Sequence, residues 1–199
     1  MPGSGGNLGK YRSSNPLQRF LIRQFLQQVR MIFREVPQGP LCEVGCGEGF
    51  VLRDLSDHGL LNERPATGLD INEASLRFAA TLVPEINFRK ASAYEIPLGD
   101  KACRCVMMLE VLEHLEDPAK ALREAARVGD FLLVSVPHEP FFMAANFLRG
   151  KNWSRWGSDE EHIHFWGKKS FRQLLEPHGT ILRLAAPFPW MIALLKTRD

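Results

Sequence analysis

Three glycines at every second position, set between a short apolar run and a helical pattern, constrain this chain more than any other feature. The apolar run Leu41–Val44 contains an acidic residue, Glu43, and the glycines follow it as Gly45, Gly47 and Gly49. Glycine permits positive φ angles, and its bare backbone lets a ligand approach the amides at a helix N-terminus. The pattern therefore predicts a strand, a tight turn and a helix that together form a ligand site.

The spacing of these glycines separates two kinds of nucleotide site. A dinucleotide-binding turn has the pattern G-x-G-x-x-G, and its amides face a pyrophosphate. Here the third glycine comes one residue earlier, and Glu43 stands where it would repel pyrophosphate but suit a ligand carrying positive charge. A second acidic residue, Asp70, ends the next apolar run and is placed to accept both hydroxyls of a ribose. The pattern therefore disfavours a nicotinamide-dependent oxidoreductase.

Taken with its neighbours, the glycine block resembles the first signature of class I methyltransferases that use S-adenosylmethionine, E/D-x-G-x-G-x-G. The stretch 109–118 is similar to the segment after strand four in small-molecule methyltransferases of this class, and 132–137 is similar to their fifth strand. The likeness covers nearly the whole chain from about Tyr11. It implies an α/β fold with a Rossmann-like, doubly wound sheet of seven strands, mostly parallel, with the last strand antiparallel.

Apolar periodicity and helix breakers predict the remaining elements, and their alternation also indicates a doubly wound sheet. One departure from the family is Cys103-Arg104, which stands where Phe-Asp is usual and brings the stability of the turn before strand four into question. The expected helices start at Asn15 and Pro16, follow the glycine turn to about His58, and occupy 72–82, 118 onward and 170–177. The other expected strands are 66–69, 86–89, 105–109, 131–136, 180–185 and 190–195.

The composition is that of an ordinary globular protein of one domain, with 199 residues, 45% of them hydrophobic and 24% charged. We expect a disordered tail over 1–10, a single methyltransferase domain over 11–199, and a substrate-facing insertion at 138–168. A net charge of +2 gives no reason to expect nucleic acid as a partner. No apolar run approaches the roughly 20 residues of a membrane span. We expect a cytoplasmic protein, and nothing in the sequence sets its oligomeric state.

The resemblance implies cofactor contacts residue by residue. Glu43 would lie near the methionine amino group of S-adenosylmethionine, although a carboxylate here could also serve only to hold the turn amides. Asp70 would bind the ribose, and Ile71 would flank the adenine. The other implied contacts are the turn residues Gly45, Cys46 and Gly47, Ser92 and Ala93 near the adenine, Leu109 near the methionine moiety, and Tyr11 closing over the cofactor.

Some of these assignments leave alternatives open. Ser92 occupies the position of a typical Asp, and its neutral hydroxyl would bind an adenine amine more weakly than a carboxylate does. Tyr11 belongs either to a segment that closes over the cofactor or to a surface tail. Glu110, Glu113 and His114, which follow strand four, are interpreted as residues that cap a helix and complement its dipole.

The four cysteines do not predict a metal site. They occur at positions 42, 46, 103 and 105 without a C-x-x-C pair, and a cysteine in a strand is more often a small buried hydrophobic residue. We therefore expect no bound metal.

The segment 138–168 is where an acceptor would be recognised. Its aromatic residues either line a pocket for an apolar or ring-bearing acceptor or form a satellite core under a long loop. His138 directly follows strand five, at the usual edge of the active-site crevice, and is a candidate base for an oxygen or nitrogen nucleophile. The aromatic residues are Phe141, Phe142, Phe147, Trp153, Trp156, Phe165 and Trp166.

These observations favour an S-adenosylmethionine-dependent methyltransferase. The expected acceptor is an oxygen or nitrogen of a small metabolite, and the expected product of the cofactor is S-adenosylhomocysteine. The alternative is a binding or scaffold protein that has the methyltransferase fold without turnover.

Overall fold

A computed structural model describes residues 14–138 and 163–198 of the 199-residue chain. The predicted tail at 1–10, Tyr11, and positions 139–162 of the predicted insertion lie outside the described residues. The division into a tail, a single domain and an insertion therefore stays a prediction.

The strands form one seven-stranded sheet, in which the first five are mutually parallel and the last lies antiparallel between its two neighbours. They are β1 (Leu41–Val44), β2 (Ala66–Asp70), β3 (Asn87–Lys90), β4 (Cys103–Leu109), β5 (Gly129–Pro137), β6 (Gly179–Ala185) and β7 (Trp190–Thr197). Their order in the sheet is β3-β2-β1-β4-β5-β7-β6, and β7 runs antiparallel to both β5 and β6. The predicted Rossmann-like, doubly wound α/β fold with an antiparallel last strand is confirmed.

Five α-helices accompany these strands within the described residues. Polar residues mark where several of them begin. They are α1 (Pro16–Phe33), α2 (Phe50–Asp57), α3 (Glu73–Leu82), α4 (Pro118–Val128) and α5 (Lys168–Leu175), with short 3₁₀ turns at Leu112–His114 and Glu176–His178. The side chain of Asn15 accepts hydrogen bonds from the first turn of α1, as Asn72 does for α3 and Asp117 for α4. The predicted starts of these three helices are confirmed.

The core lies on both faces of the sheet, so the central strands are apolar throughout. In β4, Met107 faces one layer and Met108 the other, and both are fully buried. Phe33 and Leu52 represent the layer of α1 to α3, and Phe171 represents the layer of α4 and α5. This double cover explains why the continuous apolar run of β4 predicted a parallel strand.

Several boundaries differ from the sequence-based expectation by one to two residues. The strand expected at 86–89 is Asn87–Lys90, and the strands expected to start at 105 and 131 start at Cys103 and Gly129, which pair with each other. The helix expected at 170–177 begins at Lys168. Ser170 is the third residue of its first turn, where its Oγ atom accepts a hydrogen bond from the amide of Gly167. Pro177 belongs to the 3₁₀ turn that follows α5.

The unusual Cys103-Arg104 pair is accommodated at the edge of the sheet where β4 begins. The guanidinium of Arg104 forms an ion pair with the carboxylate of Asp130 on the neighbouring strand β5. The amide of Arg104 also donates to the carbonyl of Pro40, over 2.8 Å. The start of β4 is therefore held without the Asp that is usual in the family.

We expect Arg104→Met to lower the free energy of unfolding by no more than about 1 kcal/mol, because the ion pair that it removes is partly exposed. Leu52→Ala, which opens a cavity at a fully buried position, is the comparison and should cost about 2–5 kcal/mol. Urea denaturation of both variants measures the difference. Losses of equal size would show that the ion pair carries more of the stability than its exposure allows.

Candidate functional site

The predicted site residues collect at one edge of the sheet, where the parallel strands have their carboxyl ends. Such an edge is where open α/β sheets bind ligands. Glu43 is the third residue of β1, and the glycine turn follows that strand. Asp70 ends β2, Leu109 ends β4, and His138 follows β5. Ser92 and Ala93 come just after β3, and the amide of Ala91 donates to the backbone carbonyl of Asp70, over 3.1 Å.

The glycine turn forms as the sequence predicts. The amides of Gly45 and Cys46 both donate to the carbonyl of Leu69, over 2.7 and 3.0 Å, so the turn folds back on the end of β2. Gly45 has φ 73° and packs so closely against Val111 that a Cβ atom would collide with a methyl group there. Gly49, with φ 77°, precedes the first residue of α2. These two positions need glycine because of left-handed φ angles and, at Gly45, lack of space.

Asp70 ties the turn to the second strand. Its Oδ2 atom accepts from the amide of Gly47, and its Oδ1 atom accepts from the amide of Asn72, both over 2.8 Å. A carboxylate offers about four lone-pair directions, so each oxygen keeps acceptor capacity for a ligand hydroxyl. The side chain thus fixes the shape of the turn and still has room for the predicted ribose contact.

Glu43 brings a carboxyl group into the centre of the sheet. The residue lies in register with Gly68 of β2 and Met107 of β4, and only 2% of it is exposed. Burial, followed by repulsion from Asp70, raises the pKa of this carboxyl from 4.5 to about 8. Its Oε2 atom is buried and receives no hydrogen bond within the described part of the chain. A buried oxygen in this state is a natural contact for a cationic ligand.

A third acidic residue, Glu48, belongs to this cluster and was not singled out from the sequence. It lies inside the glycine turn, it is 7% exposed, and its buried Oε2 atom has no hydrogen-bond partner among the described residues. Burial raises the pKa of the Cys46 thiol, and the charges of Glu43, Asp70 and Glu48 raise it further, so all three acids lie close to Cys46. A carboxylate between two of the motif's glycines was the available signal.

The residues assigned to the adenine from the sequence lie at the ends of β2 and β3, in different environments. Ile71 is 70% exposed, an unusual state for a large apolar residue and a suitable one for covering a planar ring. Ser92 has its Oγ atom engaged, because that atom accepts from the amide of Tyr94 over 3.2 Å. Ala93 is buried in the turn that Ser92 and Glu95 close. The role assigned to Ser92 stays a prediction, with its hydroxyl shared with the turn.

His138 lies where the acceptor side of the crevice is expected. Its amide donates to the carbonyl of Pro189, over 2.8 Å, and its backbone pairs with that of Trp166. Burial lowers the pKa of its imidazole below 6.5, and the charge of Lys168 lowers it further. The ring is therefore neutral at physiological pH and can accept a proton. His164, stacked on Trp166 with ring centroids 5.4 Å apart, extends this surface.

The interpretation of Glu110 as a helix cap is wrong. The 3₁₀ turn Leu112–His114 starts at Val111 without a side-chain cap. The carboxylate of Glu110 instead accepts from the indole Nε1 of Trp190 over 2.6 Å and from Oγ of Ser135 over 3.0 Å. These contacts reach strands far along the chain, so helical spacing gave no signal for them.

The described residues contain neither a metal cluster nor a spanning helix. Across 14–138 and 163–198, no three His, Cys, Asp or Glu side chains converge as metal ligands would. Over the same residues, no helix has the length and hydropathy needed to cross a membrane.

Comparisons with known proteins find methyltransferases that are similar to this chain in sequence and in fold. A family model described as a methyltransferase domain matches residues 42–130, which run from β1 to the start of β5. A probable S-adenosylmethionine-dependent methyltransferase of Mycolicibacterium smegmatis is 34% identical over 103 residues, 50% of this chain and 38% of that protein. The 27-O-demethylrifamycin SV methyltransferase of Amycolatopsis mediterranei is 31% identical over 112 residues, 49% of this chain and 40% of that protein. The matches thus span about two fifths of the length of these relatives.

A solved structure of similar shape extends the comparison beyond the matched segment. Magnesium protoporphyrin IX methyltransferase from Synechocystis, determined with bound S-adenosylhomocysteine, has a TM-score of 0.70 over 92% of this chain and 88% of its own. Its sequence identity is 16%, so this likeness concerns the fold. Residues 42–130 thus match a methyltransferase domain, and the whole sheet has the fold of a solved S-adenosylmethionine-dependent methyltransferase structure.

Proposed function

We propose that this protein binds S-adenosylmethionine at the glycine turn and transfers its methyl group to an oxygen or nitrogen of a small metabolite. The observation that carries the proposal is the buried Glu43 carboxyl, which lies near Asp70 and whose Oε2 atom has no hydrogen-bond partner within residues 14–138 and 163–198. Opposite charges attract strongly where water is excluded. A ligand with an ammonium and a sulfonium group meets that requirement, and a pyrophosphate does not.

The residues present fit such a cofactor at both of its ends. Glu43 would face the ammonium group, and the glycine turn, with left-handed φ angles at Gly45 and Gly47, would present backbone without side chains to the amino-acid tail. Asp70 would accept the ribose hydroxyls with the lone pairs that Gly47 and Asn72 leave unused. Exposed Ile71 would cover one face of the adenine.

The chain's own contribution to methyl transfer is orientation and proton removal. When bound, S-adenosylmethionine would supply a methyl group activated by its sulfonium, with S-adenosylhomocysteine as the leaving group, and the residues of the chain would hold the acceptor in line with that methyl group. Holding the two reactants in line can supply about 7–11 kcal/mol of the barrier lowering. The neutral imidazole of His138 would take the proton that the acceptor loses, which adds about 10²–10⁴-fold.

A small acceptor agrees with the charge balance and with the relatives. A net charge of +2 gives no reason to expect nucleic acid as the acceptor. The rifamycin relative is named for methylation at an oxygen. Phe165 and Phe188, both exposed, each precede a residue that contacts the backbone of His138, namely Trp166 and Pro189, and offer apolar surface to a ring-bearing molecule. Cofactor binding without any methylated product would instead favour the scaffold alternative.

Isothermal titration with S-adenosylmethionine tests the proposal directly. We expect Asp70→Ala to weaken binding at least tenfold, because it removes a charged acceptor and frees the amide of Gly47, a loss of about 1.5–3 kcal/mol. Asp57→Ala, which removes an exposed acid on α2, is the matched control and should bind as the wild type does. Equal affinities for all three proteins would refute the cofactor site.

Titration with S-adenosylhomocysteine should release protons, because Glu43 is protonated below about pH 8 in the free protein and ionises beside the ammonium group. Affinity should therefore rise with pH up to about 8. Glu43→Gln should remove both the release and this slope. Calorimetry in buffers of different ionisation enthalpy counts the protons, with Glu35→Gln, an exposed acid paired with Arg183, as the control.

The same carboxyl makes a prediction for stability. Its folded pKa is raised, so the folded state holds more protons than the unfolded state between about 4.5 and 8, and stability should fall as pH rises through that window. The slope approaches about 1.4 kcal/mol per pH unit for one proton. Urea denaturation across this range should find the slope in the wild type and not in Glu43→Gln. A slope that the substitution leaves unchanged would contradict the assignment.

The acceptor can be found by incubating the protein with S-adenosylmethionine and a metabolite extract, then searching by mass spectrometry for a gain of one methyl group. With that acceptor, we expect His138→Gln to lower the rate by about 10²–10⁴-fold. The wild-type rate should fall only at pH values below 6.5, where the imidazole becomes protonated. A wild-type profile shared by His138→Gln would exclude His138 as the base.

A further inference from the structure

Glu110 holds a backbone conformation that its residue type disfavours. It follows β4 directly with φ 58°, in the left-handed region. A non-glycine residue is disfavoured there, so its surroundings must hold it in place. Strain of this kind is concentrated at functional sites, and Glu110 lies between Leu109 and the turn that faces the glycine loop.

Contacts from two neighbouring strands hold Glu110 in this conformation. Its amide donates to Oγ of Ser135 over 3.1 Å, and the same hydroxyl donates back to its Oε1 atom over 3.0 Å. The indole Nε1 of Trp190 donates to its Oε2 atom over 2.6 Å. Trp190 in turn packs on Phe25 of α1, with ring centroids 4.9 Å apart. One carboxylate thus joins the ends of β4, β5 and β7 and, through Trp190, the first helix.

The left-handed residue determines where the next residue goes. Val111, immediately after Glu110, packs against Gly45 so closely that a Cβ atom could not be added there. The amide of Gly45 is held from the other side by the carbonyl of Leu69. The glycine turn therefore lies between β2 and Val111, and the position of Val111 follows from the conformation of Glu110.

We propose that Glu110 is a positioning residue of the cofactor site, whose carboxylate, held by Trp190 and Ser135, keeps Val111 seated against the glycine turn. The proposal rests on the cofactor site described under the proposed function. It adds that strands β5 and β7, on the side of His138, control the shape of the turn that faces the cofactor.

Calorimetric titration with S-adenosylhomocysteine tests the proposal on the full chain. We expect Glu110→Ala to weaken binding about tenfold, because both side-chain tethers are lost. Glu110→Gln should bind nearly as well as the wild type, since its amide oxygen can accept from Trp190 and its amide nitrogen can donate to Ser135. Thr197→Val is the matched control: it removes the hydrogen bond from the Thr197 hydroxyl to Gly129, over 2.9 Å, which joins β7 to β5 at the opposite edge of the sheet. It should lower the unfolding temperature without changing affinity.

Trp190→Phe completes a double-mutant cycle. The substitution keeps a ring to pack on Phe25 and removes the indole donor. It should weaken binding no more than Glu110→Ala does. The double variant should bind as tightly as Glu110→Ala alone, because Trp190→Phe breaks one of the two tethers that Glu110→Ala already removes. Multiplying losses would overturn the proposal, since they would mean that the two side chains act separately.

Nuclear magnetic resonance gives a readout that a merely structural role would not move. The indole N–H signal absent from Trp190→Phe belongs to Trp190, and it should shift when S-adenosylhomocysteine binds and move upfield in Glu110→Ala. A wild type that binds while Glu110→Ala binds equally well, with only its unfolding temperature lowered, overturns the positioning role and leaves the proposed function standing. A wild type that does not bind overturns both.

Discussion

The burial of the Glu43 carboxyl at the glycine turn is the physical constraint on which the proposed cofactor site depends. Glu43 lies in the middle of a central strand, where desolvation makes its charge unfavourable. An apolar residue would stabilise the empty protein better at that position. The cost is understandable if a bound cation compensates the charge, because the same exclusion of water that penalises the carboxylate strengthens its attraction to that cation.

Acidic side chains are paired differently at the two ends of the parallel strands. At the edge where β4 and β5 begin, Asp130 is neutralised by Arg104. At the opposite edge, Glu43 and Glu48 each have a buried oxygen without a hydrogen-bond partner in the described part of the chain. One end is therefore completed by the chain's own contacts, while the other keeps a cluster of acidic side chains that the proposed cationic ligand would complete.

Local patterns sufficed to predict the sheet and the conformation of the glycine turn between β1 and α2. The glycine turn needs residue types that few other structures require, and Asp70 follows from the end of an apolar run. Strand and helix ends were less predictable because they depend on partners, as when pairing with Gly129 extends β4 back to Cys103. The sequence could not reveal that Ser92 would share its hydroxyl with the amide of Tyr94, since that turn forms only after β3 ends.

Glu110 marks the limit of local patterns most clearly. Its spacing relative to Glu113 and His114 favours a helix cap, but its carboxylate is used by Ser135 and Trp190, which lie 25 and 80 residues away. Those partners come together only when β5 and β7 pair, so the role of Glu110 arises from the assembled sheet. The proposed control of the glycine turn by Glu110 therefore depends on the pairing of β5 with β7. On the proposed role of Glu110, the antiparallel β7 would do more than join β5 to β6, because Trp190, its first residue, would help to hold the glycine turn.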